Sequence, residues 1–431
     1  MSSKPKLHLI GNAHLDPVWL WPWTEGFHEA KATFRSALDR MQEYDDERPF
    51  IFVASSAAYY EWIEQSDPAM FREIQQRVRE GRWGLVGGWW IQPDCNIPCG
   101  ESFVRQALVG QRYFQEKFGV MATVGYNVDS FGHNGMLPQI LLKSGLSNYV
   151  FMRPGPSEKG LPGRLFWWEA DDGSRVLAFR IPFSYATWGS EMENAVRLTA
   201  GEFQPPLDLG MFFYGVGNHG GGPTKENIES LRRLQEQPDF PELVFSTPAA
   251  FFAEARAKQF SLPVVHDDLQ HHASGCYAAH SGVKRWNRQA ENRLMSAEKW
   301  SALAWRISGQ PYPADFNHAW KNVLFNQFHD IMAGGGKAQV FRAFLAKPPT
   351  STPWSSSGRL KRPARTGSRP PPRSLRQCEA NRRHEKLVGR ALPPPSANWG
   401  KTSAAANAAH IDAHALRHGK PRRSARDRRH P

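Results

Sequence analysis

The sequence predicts an α/β protein that runs into the start of a helical bundle and ends in a disordered basic tail. Short apolar runs alternate with amphipathic helical patterns as far as about residue 260, the pattern of parallel strands joined by right-handed crossovers. From Val283 the texture becomes long and helical. After about Gly335 apolar periodicity stops and Arg, Pro, Ser and Ala dominate, a composition that cannot bury a core. These changes divide the chain into 1–265, 266–335 and 336–431.

Residues 6–11, Lys-Leu-His-Leu-Ile-Gly, read as a buried first strand. A helix is predicted over 28–44, where Phe34, Leu38 and Met41 share one face. A second strand (50–54) precedes helices at 58–65 and 69–80, the latter closed by Gly81. The third strand (83–88) leads into Trp89-Trp90-Ile91-Gln92-Pro93-Asp94, and a helix follows over 100–118. Strands at 120–126 and 148–152 flank a helix at 137–144. Residues 164–169 and 175–180 read as a hairpin inserted around Asp172-Gly173. A strand at 211–216 runs into the glycine-rich stretch 217–224, before a helix at 225–237 and a strand at 243–246. Bundle helices are predicted at 284–308 and 315–332.

The 431 residues suffice for two or three domains. The formal charge of +13 is unevenly spread: from Gly336 onward there are 22 Lys and Arg against 4 Asp and Glu, whereas the first 335 residues carry 32 against 37. The body is mildly acidic, and nucleic acid is not an expected partner of it. Cys95, Cys99, Cys276 and Cys378 are too sparse for a disulfide framework, and free thiols in a reducing compartment are expected. No signal peptide precedes the first strand and no apolar run reaches membrane-spanning length. A cytoplasmic protein that does not enter membranes is therefore expected. Several of the sixteen tryptophans cluster beside polar motifs, a habit of carbohydrate sites as well as of ordinary cores.

Polar residues recur after strand C-terminal ends: His14 with Asp16, Asp94, Asp129, Arg153, and Asn218 with His219. In barrels and open α/β sheets that is where active sites form. His14 and Asp16 are two apart, so at an extended strand end they point the same way. A neutral imidazole nitrogen and a carboxylate oxygen at one point suit a divalent metal such as zinc. Trp19 supplies a flat apolar face just beyond. His329-Asp330, on the second predicted bundle helix, reads either as a core histidine or as a ligand beside an acid.

Together these segments resemble glycoside hydrolase family 38, the α-mannosidases, over about residues 6–335. The resemblance rests on His14-Leu15-Asp16-Pro17-Val18-Trp19, Gly87-Gly88-Trp89 with Pro93-Asp94, and Asp129-Ser130-Phe131-Gly132-His133. It extends through Gly220-Gly221-Gly222-Pro223-Thr224, Gln270-His271-His272-Ala273 with Gly275-Cys276-Tyr277, Asn292-Arg293, and Phe328-His329-Asp330. The resemblance implies a seven-stranded (β/α) barrel, a helical bundle and large β-sandwich domains. It implies one zinc-like divalent metal held by His14, Asp16, Asp129 and His329. It further implies retaining hydrolysis of terminal α-mannosyl residues, with Asp129 as nucleophile. Trp19 would floor the sugar subsite, Arg153 and Asp330 match positions that contact sugar or nucleophile, and Asp94 is a further polar contact.

Two departures stand out. Family members commonly carry an aspartate where this chain has Asn218-His219, and that aspartate is the usual acid/base candidate in part of the family. His219 could transfer the proton instead, since histidine as a type titrates near neutrality. Asp267 or Asp268 could also serve, or the loop could only position substrate. The family pattern also ends just past His329, and a shifted reading frame is the preferred account of the tail. Loss of the remaining bundle and sandwiches puts activity of the chain as written in doubt, and full-length homo-oligomerisation stays open. A metal-dependent carbohydrate deacetylase-like hydrolase, or an inactive fragment with a nucleic-acid-binding tail, are the alternatives.

Overall fold

Ten short strands, eleven α-helices and one 3-10 helix (Ser274–Tyr277) follow one another among the described residues of the computed structural model. Those residues are 4–335 except Asp46, Trp188, Glu191, Gln204 and 313–315. The tail expected to be disordered, 336–431, lies outside them, as does Cys378.

The first half runs β1 (Lys6–Asn12), α1 (Trp23–Glu43), β2 (Phe52–Ala54), α2 (Ala57–Ser66), α3 (Pro68–Arg79), β3 (Trp83–Leu85), α4 (Gly100–Phe118), β4 (Val124–Asn127), α5 (Leu137–Lys143) and β5 (Asn148–Phe151). The second half runs β6 (Leu165–Glu169), β7 (Arg175–Arg180), α6 (Glu193–Gly201), β8 (Leu209–Tyr214), α7 (Lys225–Gln235), β9 (Glu242–Phe245), α8 (Pro248–Ala257), β10 (Val264–Val265), α9 (Ser281–Ser308), α10 (Phe316–Phe325) and α11 (His329–Ala333). No helix among the described residues is long and apolar enough to cross a membrane.

The strands form two sheets rather than one hydrogen-bonded ring. In the first, β1 is central: β8 lies along Lys6–Gly11 on one edge. On the other edge β9 faces Lys6–Leu9 and β2 faces Gly11 and Asn12, with β3 beyond β2. All these pairs are parallel, so β1 is covered on both faces and almost wholly buried. The second sheet has the order β10-β6-β7-β5-β4. The closed seven-stranded barrel implied by the resemblance is not seen, because two junctions carry only isolated links. At one, Gly87 N–H donates to Val124 O at 2.8 Å across the β3–β4 gap. At the other, Thr187 bridges Gly215 beyond the ends of β7 and β8. Buried Asn12 ties the sheets together inside: it donates to Tyr185 O (2.9 Å) and Tyr214 O (3.3 Å), and accepts from the Tyr126 hydroxyl (3.1 Å).

Two local expectations are corrected. The strands at 164–180 are antiparallel to each other, but β7 also pairs in parallel with β5. The hairpin is therefore part of the sheet, not an insertion. The helix expected over 315–332 is broken between Phe325 and His329. There the chain leaves helical geometry because its backbone pairs with the loop after β3: Asp94 N–H donates to Gln327 O at 2.9 Å, and Pro93 bridges Phe328.

Helix α1 packs by its predicted stripe, whereas Trp300, Leu303 and Ala304 of α9, also at helical spacing, are exposed. Phe34, Leu38 and Met41 of α1 are buried, and Phe34 meets Trp83 edge-on at 5.1 Å between ring centroids. Thr224 closes a reciprocal capping box with Asn227 at the start of α7, and Gly119 ends α4 in the left-handed region.

Candidate active site

The loops after β1, β4 and β5 converge with the start of α11. His14 and Asp16 lie in the first of these loops, which is held at three points. The Asp16 N–H donates to Asn218 O at 2.9 Å, the Tyr59 hydroxyl donates to Leu15 O at 2.7 Å, and Trp21 Nε1 donates to Asp16 O at 2.8 Å. Asp129 follows β4, and His329 opens α11.

One ligand atom from each of His14, Asp16, Asp129 and His329 lies within 4.8 Å of all the others, and all four residues are buried. His14 Nε2 is 2.8 Å from Asp16 Oδ1 and 3.8 Å from Asp129 Oδ2. His329 Nε2 is 3.8 Å and 3.9 Å from the same two oxygens. None of these approaches is a hydrogen bond: His14 Nε2, Asp16 Oδ1 and His329 Nε2 are buried without a hydrogen-bond partner. Buried polar atoms are rarely left so. Three converging on one point form a donor set that could hold a cation.

The electrostatics fit the same reading. Burial pushes His14 down to about 4 and His329 down as well, so both rings present neutral lone pairs. His329 Nδ1 is 3.0 Å from Gln92 O, which accepts its proton and turns Nε2 toward the centre. Burial, then the Asp129 charge, push the Asp16 carboxyl well above its usual range. Asp330 is raised by burial and then by Asp16 and Asp129. Burial acts most strongly against ionisation of Asp129, yet the Arg153 guanidinium, His14 and His329 together outweigh it and hold this carboxyl below the usual range. Arg153 Nε donates to Asp129 Oδ1 at 2.5 Å. Its Nη1 donates to His272 Nε2 at 3.0 Å, and His272 Nδ1 meets Glu158 Oε1 at 2.6 Å.

A cavity of about 450 Å³ opens over this centre, lined among others by Asp16, Trp19, Asp129, Arg153, Tyr185 and Asp330. That volume is within the range of small-molecule sites. Trp19, Arg153 and Asp330 thus stand in the cavity wall with two of the ligands. Asp94 does not. It is buried, and its Oδ1 folds back to accept from the Asn96 and Ile97 N–H groups at 2.9 and 2.7 Å. His219 is half-exposed, with Nε2 2.9 Å from Glu25 Oε1 and its ring edge-on to Trp21. Its neighbour Asn218 lines the cavity instead. Asp267 and Asp268 both pair with Lys159 outside the cavity. Sequence reasoning assigned no site role to Tyr185, Phe131 or the His272–Glu158 pair. Phe131 and His272 lay inside quoted motifs. Tyr185 gave no signal, and only the fold sets its ring 4.9 Å from that of His14.

The pattern of the glycosyl hydrolases family 38 N-terminal domain matches residues 4–275, and that of the alpha mannosidase middle domain matches 271–348. Human alpha-mannosidase 2C1 is 33% identical over 338 residues, which are 77% of this chain and 32% of that protein. The alpha-mannosidase of Saccharomyces cerevisiae is 30% identical over 355 residues, 77% of this chain and 32% of its own. The chain thus spans about a third of the length of these relatives. An alpha-mannosidase structure from Enterococcus faecalis V583 superposes with a TM-score of 0.69 at 22% identity, covering 80% of this chain and 40% of that one. That likeness speaks for the fold. The pattern match extends over more than half of the chain and takes in three of the four converging ligands, so the chain belongs to glycosyl hydrolase family 38.

Proposed function

We propose that the chain carries the catalytic centre of a metal-dependent retaining α-mannosidase acting on terminal α-mannosyl residues. The observation that carries this reading is the position of Asp129. It belongs to the unpartnered ligand cluster and at the same time faces a cavity of sugar size. His14, Asp16, Asp129 and His329 would hold one divalent metal, and zinc suits two imidazoles with two carboxylates. When bound, the metal would hold sugar hydroxyls and favour a distorted ring.

Asp129 attacks the anomeric carbon, the glycosidic bond breaks, and a covalent mannosyl-enzyme forms. Arg153, with His14 and His329, keeps Asp129 ionised and fixes its Oδ1, while Oδ2 is the oxygen turned toward the two histidines. Trp19 offers its face to the sugar ring, and Asp330 offers a carboxyl to hydroxyls. For the proton on the leaving oxygen we favour His219. Its Nε2 is engaged by Glu25, which leaves Nδ1 for transfer, and its neighbour Asn218 lines the cavity. Asp267 and Asp268 are held by Lys159 and are not among the residues lining the cavity. The family matches do not favour the deacetylase-like alternative.

Seven parallel strands among the described residues, in the order β8-β1-β2-β3-β4-β5-β7, would form the family barrel once the two linked gaps are counted as junctions. The free thiols of Cys95, Cys99 and Cys276 agree with a cytoplasmic setting.

The test is turnover of an aryl α-mannoside by the zinc-loaded chain, followed by trapping with a fluorinated mannosyl donor. Peptide mapping should place the label on Asp129. Turnover without any protein label would refute the covalent mechanism.

A further inference from the structure

Three of the four ligands come from strand-end loops of the α/β domain, but His329 arrives from the helical segment, more than 190 residues further along the chain. Something must set its register against the other three. The backbone does part of this: Gln92 O accepts both the His329 N–H (3.3 Å) and Nδ1 (3.0 Å), and Gln327 O accepts the Asp94 N–H.

The rest is a buried polar knot centred two residues before the ligand. The Gln327 side chain is fully buried and hydrogen-bonds to two helices, α4 and α9. The two protons of its Nε2 are shared among Ser102 Oγ of α4 at 2.9 Å and Asn287 Oδ1 and Glu291 Oε1 of α9 at 3.0 and 3.1 Å. Gln106 of α4 donates to Gln327 Oε1 at 3.3 Å and to Leu324 O of α10 at 3.0 Å, while its own Oε1 receives the Ile91 N–H. Glu291, also fully buried, accepts at Oε1 from Cys99 N–H (2.9 Å) and Ser102 Oγ (2.7 Å). Its Oε2 receives Arg288 Nη1 at 2.6 Å.

A buried carboxylate within such a network is costly to desolvate, and well-packed apolar side chains would hold the same helices at least as firmly. What a satisfied polar network adds is a unique position. Here the position set is that of the backbone entering His329. We propose that Gln327 and Glu291 are positioning residues for the metal centre, locking His329 into ligand register across the junction of α4, α9 and the loop after β3. This rests on the metal-centre reading above.

The experiment measures zinc affinity of the full chain by calorimetric titration at 20 °C, alongside its thermal melt without metal. Gln327→Met keeps the volume and removes the hydrogen bonds. It should weaken zinc binding about 10- to 100-fold, the usual effect of losing a group that orients a ligand. In a His329→Ala background the same change should alter affinity by less than about twofold, because the ligand it positions is gone. Leu231→Ala, in the buried face of α7, should lower the melting temperature and leave zinc affinity unchanged. If Gln327→Met proves unfolded by circular dichroism, Glu291→Gln carries the same two readouts. Native affinity in the Gln327 or Glu291 variant overturns the proposal. So does an equal loss in the His329→Ala background. Failure of the unmodified chain to bind zinc overturns the metal-centre reading itself.

Discussion

Gly26 gives the sharpest prediction about the loop that carries Asp16. It is a buried residue in the first turns of α1, where the helix presses on the backbone of Pro17. A Cβ added at Gly26 would lie 2.3 Å from Pro17 O, 2.7 Å from its carbonyl carbon and 2.8 Å from its Cα. All three contacts are with backbone, so no rotamer change relieves them. Restoring ordinary contact requires a displacement of about 1 Å of either α1 or the loop, a change of the kind that costs about 1–3 kcal/mol in a packed site. Pro17 is bonded to Asp16, so the displacement reaches the ligand cluster directly. Gly26→Ala should therefore lower unfolding free energy by about 1–3 kcal/mol and weaken zinc binding in the same protein. Urea denaturation and calorimetric titration read the two effects. Gly100→Ala is the matched control: its added Cβ meets nothing within 4 Å at the first position of α4. It should be neutral or stabilising by up to about 1 kcal/mol. Native stability together with native zinc affinity in Gly26→Ala would refute the reasoning.

His8 is buried against Ser246 and Glu254, and burial pushes its pKa from 6.5 down to about 4. Above pH 6.5 the ring is neutral in folded and unfolded chains alike. As pH falls toward 4 only the unfolded chain takes up the proton, so about 3 kcal/mol is lost across that window. His8→Asn should flatten this part of a urea-midpoint profile, and an unchanged slope would remove His8 as its source. Cys95 is fully buried and its thiol is raised by burial, whereas Cys276 lines the cavity and is raised to about 11, by burial and then by Asp94. Iodoacetamide at pH 7.5 should modify Cys276 slowly and Cys95 only after unfolding, as read by peptide mass spectrometry; early labelling of Cys95 would contradict its placement. Thr224→Ala removes one half of the capping box of α7 and should cost about 1 kcal/mol in urea unfolding. A change below 0.3 kcal/mol, read against the order-of-magnitude value for a lost cap, would show that the Gly-Pro turn alone starts the helix.

Much of the molecule was legible along the chain. The helix over Gly100–Phe118 could be read to its ends because Pro98 precedes it, Gly119 follows it, and Phe103, Ala107 and Phe114 recur on the face it buries. The residue types of the buried cluster were legible too, since paired imidazoles and carboxylates are what a divalent metal would require. Shorter elements escaped. Helix α8 has little periodicity beyond its Thr247 cap and Pro248 start, and the sequence reading left out both α8 and α6. The 315–332 pattern looked continuous because a helix break caused by pairing with a loop more than 230 residues away leaves no local trace.

Residue identity and order along the chain thus determined the α/β alternation, the arrival of the helical segment and the kinds of group available at each strand end. Which of those groups face the cavity was decided only in three dimensions. Asp94 and Asp129 are both acids after a strand, yet one folds onto its own turn and the other meets Arg153. Asn218 and His219 are neighbours, but the left-handed backbone of Asn218 (φ +57°) sets it in the cavity wall and sends His219 to Glu25. Asparagine tolerates that conformation without special cost. Its use here depends on Asp16 and Leu15 pairing with Asn218 from some 200 residues away. Side-chain direction at a loop is set by such distant contacts, and local sequence carries no record of them.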